Sequence, residues 1–242
     1  MPPEHMIPGV GGGGVKRFVE IGEEFLGLFK RVGALEPTDD VLDVGCGCGR
    51  MAIVLGDYLD PTTRYEGFDV VREYVDWCAD NITSQRPNFK FQHVDIFNKN
   101  YNPTGTLQGD TFRFPYDDDS FDFAFLTSVF THMLPADVAH YLEELHRVMR
   151  PGQRVFATYF VLTPEVHQLN DSGKSQIKML PTDDGYWTSH YEIPEAAVAY
   201  EEADLNALHK AHGFESDGFH FGSWSGRDKF LSYQDIVVLR KV

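Results

Sequence analysis

The stretch VLDVGCGCGR, residues 41–50, constrains this chain more than any other. Val41, Leu42 and Val44 form a buried-strand run whose only charge is Asp43, and five residues, Gly45-Cys46-Gly47-Cys48-Gly49, then turn into Arg50-Met51-Ala52, a helix-compatible start. A strand, a glycine turn and a helix make the βα unit in which small residues let the backbone approach a nucleotide. The spacing is GxGxG. A dinucleotide fingerprint would read GxGxxG, with the pyrophosphate held where the helix begins.

Periodicity along the chain extends this unit. PGVGGGG, residues 8–14, reads as flexible and unable to pack. Phe18, Ile21, Phe25, Leu28 and Phe29 then recur at helical spacing, with Gly33 placed to end the helix. A second strand, TRYEGFDVV, ends at Asp69, a helix stripe follows through Val75, Cys78 and Ile82, and a third strand, FKFQHVD, ends at Asp95. Residues 96–120 are polar and turn-rich, so they read as an inserted loop, and loops of that length are usually functional or mobile. FDFAFLTSVF is a fourth strand. Pro135 opens a helix that Pro151-Gly152 should stop, and RVFATYFVL is a fifth strand. Residues 162–190 show no clear period and suggest a lid, Leu205, Leu208 and Gly213 mark a last helix, and two closing strands follow. Strands alternating with helices predict an α/β, three-layer, Rossmann-like fold, with a mostly parallel seven-stranded sheet and an antiparallel edge hairpin. We divide 1–242 as one domain: a cap segment and helix to 33, a cofactor-binding core at 34–162, and a lid with substrate-side strands at 163–242.

The chain's 242 residues, 42% of them hydrophobic, can bury a full core, and a net charge of −16 is the wrong sign for a nucleic-acid binder or an anionic membrane surface. No long apolar segment and no signal-like start are visible, so the protein is expected to be soluble and cytoplasmic. Three cysteines, Cys46, Cys48 and Cys78, are too few for a disulfide framework, and the C-x-C pair lacks a second pair that would complete a zinc site. The acids Asp117, Asp118 and Asp119 read as a solvated turn, and no metal is expected.

Asp43, Asp69 and Asp95 all fall at strand ends, where ligands of open α/β sheets bind. Asp69 can accept two hydrogen bonds from ribose hydroxyls and Asp95 one from an exocyclic amine. An acidic rim suits a cationic ligand better than a pyrophosphate. VLDVGCGCG, GFD, the Val94-Asp95 pair, FPYDDDSFDFAFLTSVFTHM and ELHRVMRPGQ, taken in order over roughly residues 35–160, resemble class I S-adenosylmethionine-dependent methyltransferases of the small-molecule type. The resemblance implies S-adenosylmethionine as cofactor. Gly45, Cys46 and Gly47, with Asp43 beside them, would line the methionine part, Asp69 would hold the ribose, Asp95 and Ile96 would face the adenine, and Leu126 and Thr127 would flank the sulfonium. Gln153 stands where the family usually has the second glycine of PGG.

The amino-methylating N/D-P-P-Y/F motif is missing after the fourth strand, and no Pro-Cys nucleophile of cytosine enzymes occurs. Methylation of a small molecule or a glycan remains, with a hydroxyl as the expected acceptor. His132, a few residues past the fourth strand, is the candidate base, because an imidazole titrates near neutrality. It could equally hold its loop. Tyr186, Trp187, His190, Tyr191, His220, Trp224, Arg227 and Tyr233 could stack on and hydrogen-bond an acceptor, although ordinary core packing accounts for most of the aromatics equally well. An NAD-dependent oxidoreductase and a non-catalytic S-adenosylmethionine-binding module stay open beside the methyltransferase.

Overall fold

Apolar runs such as FDFAFL demand cover on both faces of a sheet, since alternate side chains point to opposite sides. The computed structural model describes residues 1–11 and 13–242. Its strands are β1 (Val41–Val44), β2 (Tyr65–Asp69), β3 (Phe89–His93), β4 (Phe121–Leu126), β5 (Met149–Tyr159), β6 (Val161–Leu162), β7 (Leu180–Pro181), β8 (Trp187–Thr188), β9 (Val198–Glu201), β10 (Phe214–His220) and β11 (Asp235–Lys241). The helices are α1 (Val15–Arg31), α2 (Arg50–Leu55), α3 (Arg72–Cys78), α4 (Pro135–Val148), α5 (Pro164–Asp171) and α6 (Glu202–Ala211). Seven strands pair in the order β10-β11-β5-β4-β1-β2-β3, parallel except for β11, which is antiparallel to both β5 and β10. The expected edge hairpin is therefore β10–β11, with the last strand in the chain lodged inside the sheet.

Both faces are filled. Phe123, Phe125, Phe156 and Ile236 meet Phe25, Phe29, Met51 and Leu55 of α1 and α2 on one side. Ala124, Leu126, Val155 and Val237 meet Val138, Leu142 and Leu145 of α4 and Leu205 of α6 on the other. Gly22 lets α1 approach α2, because a Cβ there would sit 3.3 Å from the carbonyl oxygen of Arg50. Gly33 ends α1 through space rather than backbone freedom. A Cβ at Gly33 would lie 2.8 Å from the Phe29 carbonyl oxygen and 2.9 Å from the Phe123 ring, while Ala34 takes the left-handed turn at φ +53°.

Three expectations need correction. The segment before α1 packs in part: Val10, within residues 8–14, rests on the cluster of Met6, Ile7, Phe18 and Cys48, and the Arg50 guanidinium donates to the Val10 carbonyl at 2.7 Å. Gly12, part of the glycine run read as flexible, lies outside the described residues. The third strand ends at His93, two residues before Asp95. Helix α4 ends at Val148 ahead of Pro151-Gly152, and Met149 already pairs with Phe121 in the sheet. Pro151-Gly152 fall instead where the β4–β5 register shifts, with Gly152 at φ +79°.

Residues 161–201 are organised, although they carry no obvious period. They form α5 and a four-stranded sheet, β6-β9-β8-β7, over a core of Phe160, Leu162, Val166, Met179 and Trp224. The short strands leave no room for an alternation to show. One buried side chain, Asp235, ties this unit to the main sheet. Its carboxylate accepts from Val161 N at 2.7 Å, Gly222 N at 2.6 Å and the Trp224 indole at 2.7 Å. Asp235→Ala should strand three buried donors, each worth about 1–3 kcal/mol when orphaned. The expected result in urea unfolding is a loss on the order of 3 kcal/mol or more, and wild-type stability would show that the hub is dispensable.

Candidate active site

The β1–α2 turn is shaped by left-handed glycines. Gly45, Gly47 and Gly49 have φ of +78°, +51° and +78°, a region that side chains with a Cβ rarely adopt. Val129 and Val10 press on this turn, so a Cβ on Gly45 or Gly47 would meet a valine methyl at 2.5 or 2.6 Å. The turn is pinned to β2, since the amides of Gly45 and Cys46 both donate to the Phe68 carbonyl at 2.9 and 3.0 Å. Asp69 then clasps it, accepting from Gly47 N at 2.7 Å and from Val71 N at 2.8 Å. Each Asp69 oxygen keeps a second lone pair for a ligand hydroxyl.

A cavity of about 520 Å³ opens above this turn, at the carboxyl ends of β1, β2 and β4. Among the expected residues, Asp43, Gly45, Cys46, Gly47, Asp69, Thr127 and His132 line it. Asp95, Ile96 and Leu126 are not among the residues that line it. Leu126 is the last residue of β4, and its side chain is buried in the core on the α4 side. Ile96 is buried in the same core. The Asp95 carboxylate turns to its own loop, accepting from Asn102 Nδ2 at 3.1 Å and from the Thr106 hydroxyl at 2.7 Å. Of the aromatic and polar residues proposed from the tail, only Tyr233 reaches the cavity wall. Trp224 is buried, the Tyr191 hydroxyl donates to the Pro181 carbonyl, and Arg227 pairs with Glu165 and lies over the Phe221 ring. Asp118 and Asp119 of the acidic turn are paired with Arg147 and Lys241.

The site's electrostatics follow from burial. Desolvation pushes the Asp43 carboxyl up to about 8, against the hydroxyl that Tyr65 donates to it. Among the described residues its second oxygen is buried without a partner, and so is the Nε–H of Arg50, which lines the same cavity. His132 stands on the turn after β4, with Nδ1 2.8 Å from the Glu195 carbonyl. That carbonyl can only accept, so Nδ1 carries the proton and Nε2 the lone pair. Burial lowers the imidazole pKa, which keeps His132 neutral at pH 7. Ser128, also on the wall, holds a left-handed φ of +61° and donates to the Gln234 side-chain carbonyl at 2.9 Å.

Several wall residues escaped the sequence reading. Arg50 was read only as a helix start, although a cation directly after a glycine turn and seven residues past a buried acid was visible. Ser128, Gln234 and Tyr101 carry no signal, because their place depends on how loops distant in sequence fold together.

Residues 42–157 match the family model described as a methyltransferase domain. A demethylmenaquinone methyltransferase of Halalkalibacterium halodurans is 31% identical over 121 residues, covering 50% of this chain and 43% of that protein. The 27-O-demethylrifamycin SV methyltransferase of Amycolatopsis mediterranei is 25% identical over 177 residues, 70% of this chain and 57% of the relative. These curated relatives are thus matched over less than two thirds of their own length. Among solved structures, the PH0226 protein of Pyrococcus horikoshii superposes with a TM-score of 0.64 at 15% identity, covering 94% of this chain and 92% of that one. The family match spans just under half of the chain, and the fold around it is that of the class I S-adenosylmethionine-dependent methyltransferases.

The cavity fits that family's cofactor. S-adenosylmethionine presents an ammonium, a carboxylate and two ribose hydroxyls, and the wall offers the unpartnered Asp43 oxygen, the unpartnered Arg50 N–H and the Asp69 carboxylate. Buried groups without partners are rare enough to call for an explanation, and a zwitterionic ligand end supplies one. Asp43 also yields a pH test. Between an unfolded value of 3.8 and a folded value of about 8, the unfolded chain releases the Asp43 proton and the folded protein keeps it, so stability falls as pH rises. Asp43→Asn should remove that slope and gain on the wild type by up to roughly 1.4 kcal/mol per pH unit from pH 5 to 7. Saturating S-adenosylhomocysteine, whose ammonium would stabilise the carboxylate, should flatten the wild-type slope in the same denaturant titrations. Parallel pH profiles for the two proteins would remove Asp43 from this account.

Proposed function

We propose that the protein transfers the methyl group of S-adenosylmethionine to a hydroxyl of a small molecule or glycan. The observation that carries this reading is one cavity lined by the glycine turn, Asp69 and His132 together. The cofactor supplies the electrophilic methyl group and leaves as a neutral thioether. The chain supplies alignment and proton removal. Asp69 fixes the nucleoside end, Asp43 and Arg50 fix the amino-acid end, and the closed glycine turn keeps the ligand at one depth. At the acceptor end, Nε2 of His132 takes the hydroxyl proton as the new C–O bond forms, and the Glu195 carbonyl stabilises the imidazolium through Nδ1–H. The names of the relatives, a demethylmenaquinone and a 27-O-demethylrifamycin methyltransferase, support a small organic acceptor. Among the described residues no helix is long and apolar enough to cross a membrane. Cys46, Cys48 and Cys78 are unpaired thiols, which supports placing the reaction in the reducing cytoplasm.

Binding tests the cofactor half. The wild type should bind S-adenosylhomocysteine and not NAD in calorimetry. Asp69→Ala should weaken S-adenosylhomocysteine by about 1.5–3 kcal/mol, the scale of hydrogen bonds to a charged group. An unchanged affinity would remove Asp69 from the site. The acceptor half is tested by incubating protein and S-adenosylmethionine with a panel of hydroxylated small molecules and reading methylated mass. Binding without turnover on any of them would favour the non-catalytic module.

His132→Ala should lower turnover of the acceptor so found by about 10²–10⁴-fold, leaving cofactor affinity near wild type. The wild-type rate should fall in acid as the imidazole protonates, with a midpoint below the ordinary histidine value of about 6.5 because burial disfavours the cation. A variant that melts early yet turns over normally would make His132 a loop anchor.

A further inference from the structure

The insertion between β3 and β4 is folded around the acid that the family resemblance assigns to the adenine. Asp95 accepts from Asn102 Nδ2, Thr106 N and the Thr106 hydroxyl, and its own carbonyl accepts from the amides of Thr106 and Leu107 at 2.9 Å each. A bridge between Ile96 and Leu107 closes the base of the loop, and Asn102 Nδ2 also donates to the Ile96 carbonyl at 3.0 Å. Gly105 is required here because a Cβ would lie 2.5 Å from the backbone of Ile96 and Phe97. The tip is fixed separately. The Asn98 side chain accepts from the amides of Asn100 and Tyr101 at 3.0 Å, and Lys99 Nζ donates to the Glu192 carbonyl at 2.5 Å.

The product of this bracing is the position of one side chain. Tyr101 is carried into the wall of the cavity that Asp69, Val70 and Tyr74 also line, and meets the His132 ring edge-on at 5.6 Å between centroids. Asp95, whose oxygens accept from Asn102 and Thr106, supports this loop and is not among the residues lining the cavity.

We propose that Tyr101 is a nucleoside-contacting residue of this protein and that Asp95 acts only through it, as the anchor of the loop that carries it. The proposal rests on the cofactor reading above. It assigns the adenosine half of the ligand to an aromatic face in place of a carboxylate, so recognition there depends on ring area and not on an exocyclic amine.

Calorimetry with S-adenosylhomocysteine and with 5′-methylthioadenosine, which lacks the amino-acid end, tests this. Tyr101→Ala should weaken both probes by the same factor, about ten-fold or more, the scale of an aromatic contact to a base. Tyr101→Phe should stay within about two-fold of wild type, a rescue that a loss of fold would not show. Asp95→Ala should weaken both probes as well, and the Asp95→Ala/Tyr101→Ala pair should bind no worse than Tyr101→Ala alone. Wild-type affinity in Tyr101→Ala overturns the proposal. So does a double variant in which the two losses add, since Asp95 would then contact the ligand independently. A wild-type protein that binds neither probe overturns the cofactor reading itself, and this proposal with it.

Discussion

Two amide protons converge on Asp69, those of Gly47 and Val71, and the geometry of the whole cavity hangs from that clasp. The register of β1 and β2 sets Val44 opposite Phe68, so the two strands end side by side. The chain leaving β1 must then reverse above β2 within a few residues, which only a run of left-handed glycines allows. Without an acceptor at Asp69 the Gly47 amide would lose the bond that holds it. With it, the turn has one conformation, and Asp43, Arg50 and Val10 are brought round it as a consequence. The same carboxylate that shapes the turn faces the ligand, so structure and recognition cannot be varied separately at this position.

The main sheet was legible in sequence because each of its strands is long enough to show an apolar run and ends at a polar residue or a turn. The glycine turn, the acid at the end of β2 and the histidine after β4, all visible in sequence, line one cavity. Reading failed where position depends on contacts between distant segments. Asp95 has the sequence context of a ligand-binding strand end, but Asn102 and Thr106 capture its oxygens, and nothing in the pattern of a polar loop foretells which of its side chains will fold back. The tail aromatics illustrate the packing alternative. Trp224 and Trp187 look available for stacking, yet a small second sheet needs large side chains to fill its core, and that need absorbs them. Residues 8–14, rich in glycine, looked unable to pack, although Val10 between two glycines is enough to seat the segment on Phe18 and Cys48.

Charge distribution adds a second constraint. An excess of 16 negative charges is spread over a protein whose cavity nonetheless buries Asp43 and Asp69 close to one another. Each raises the cost of ionising the other, and Arg50 is the nearby cation that opposes it. Such a site is unfavourable when empty at high pH and relieved by a ligand that brings positive charge. The family's cofactor is a sulfonium with an ammonium group, and its charge is of the sign that this arrangement lacks.

β11 follows every other strand in the chain but sits between β5 and β10. During synthesis, therefore, β5 emerges from the ribosome with one long edge unpaired and must wait for some seventy-five more residues before its neighbour exists. Asp235, the residue that fastens the second sheet, arrives on that same strand, so the small sheet also lacks its tether until then. The nascent chain spends that interval with the apolar positions Val155, Phe156 and Ala157 beside an open edge, the state in which a sheet is most exposed to pairing with another chain. Handling of the protein by chaperones would accordingly be governed by the arrival of β11, well away from the glycine turn that governs what it binds.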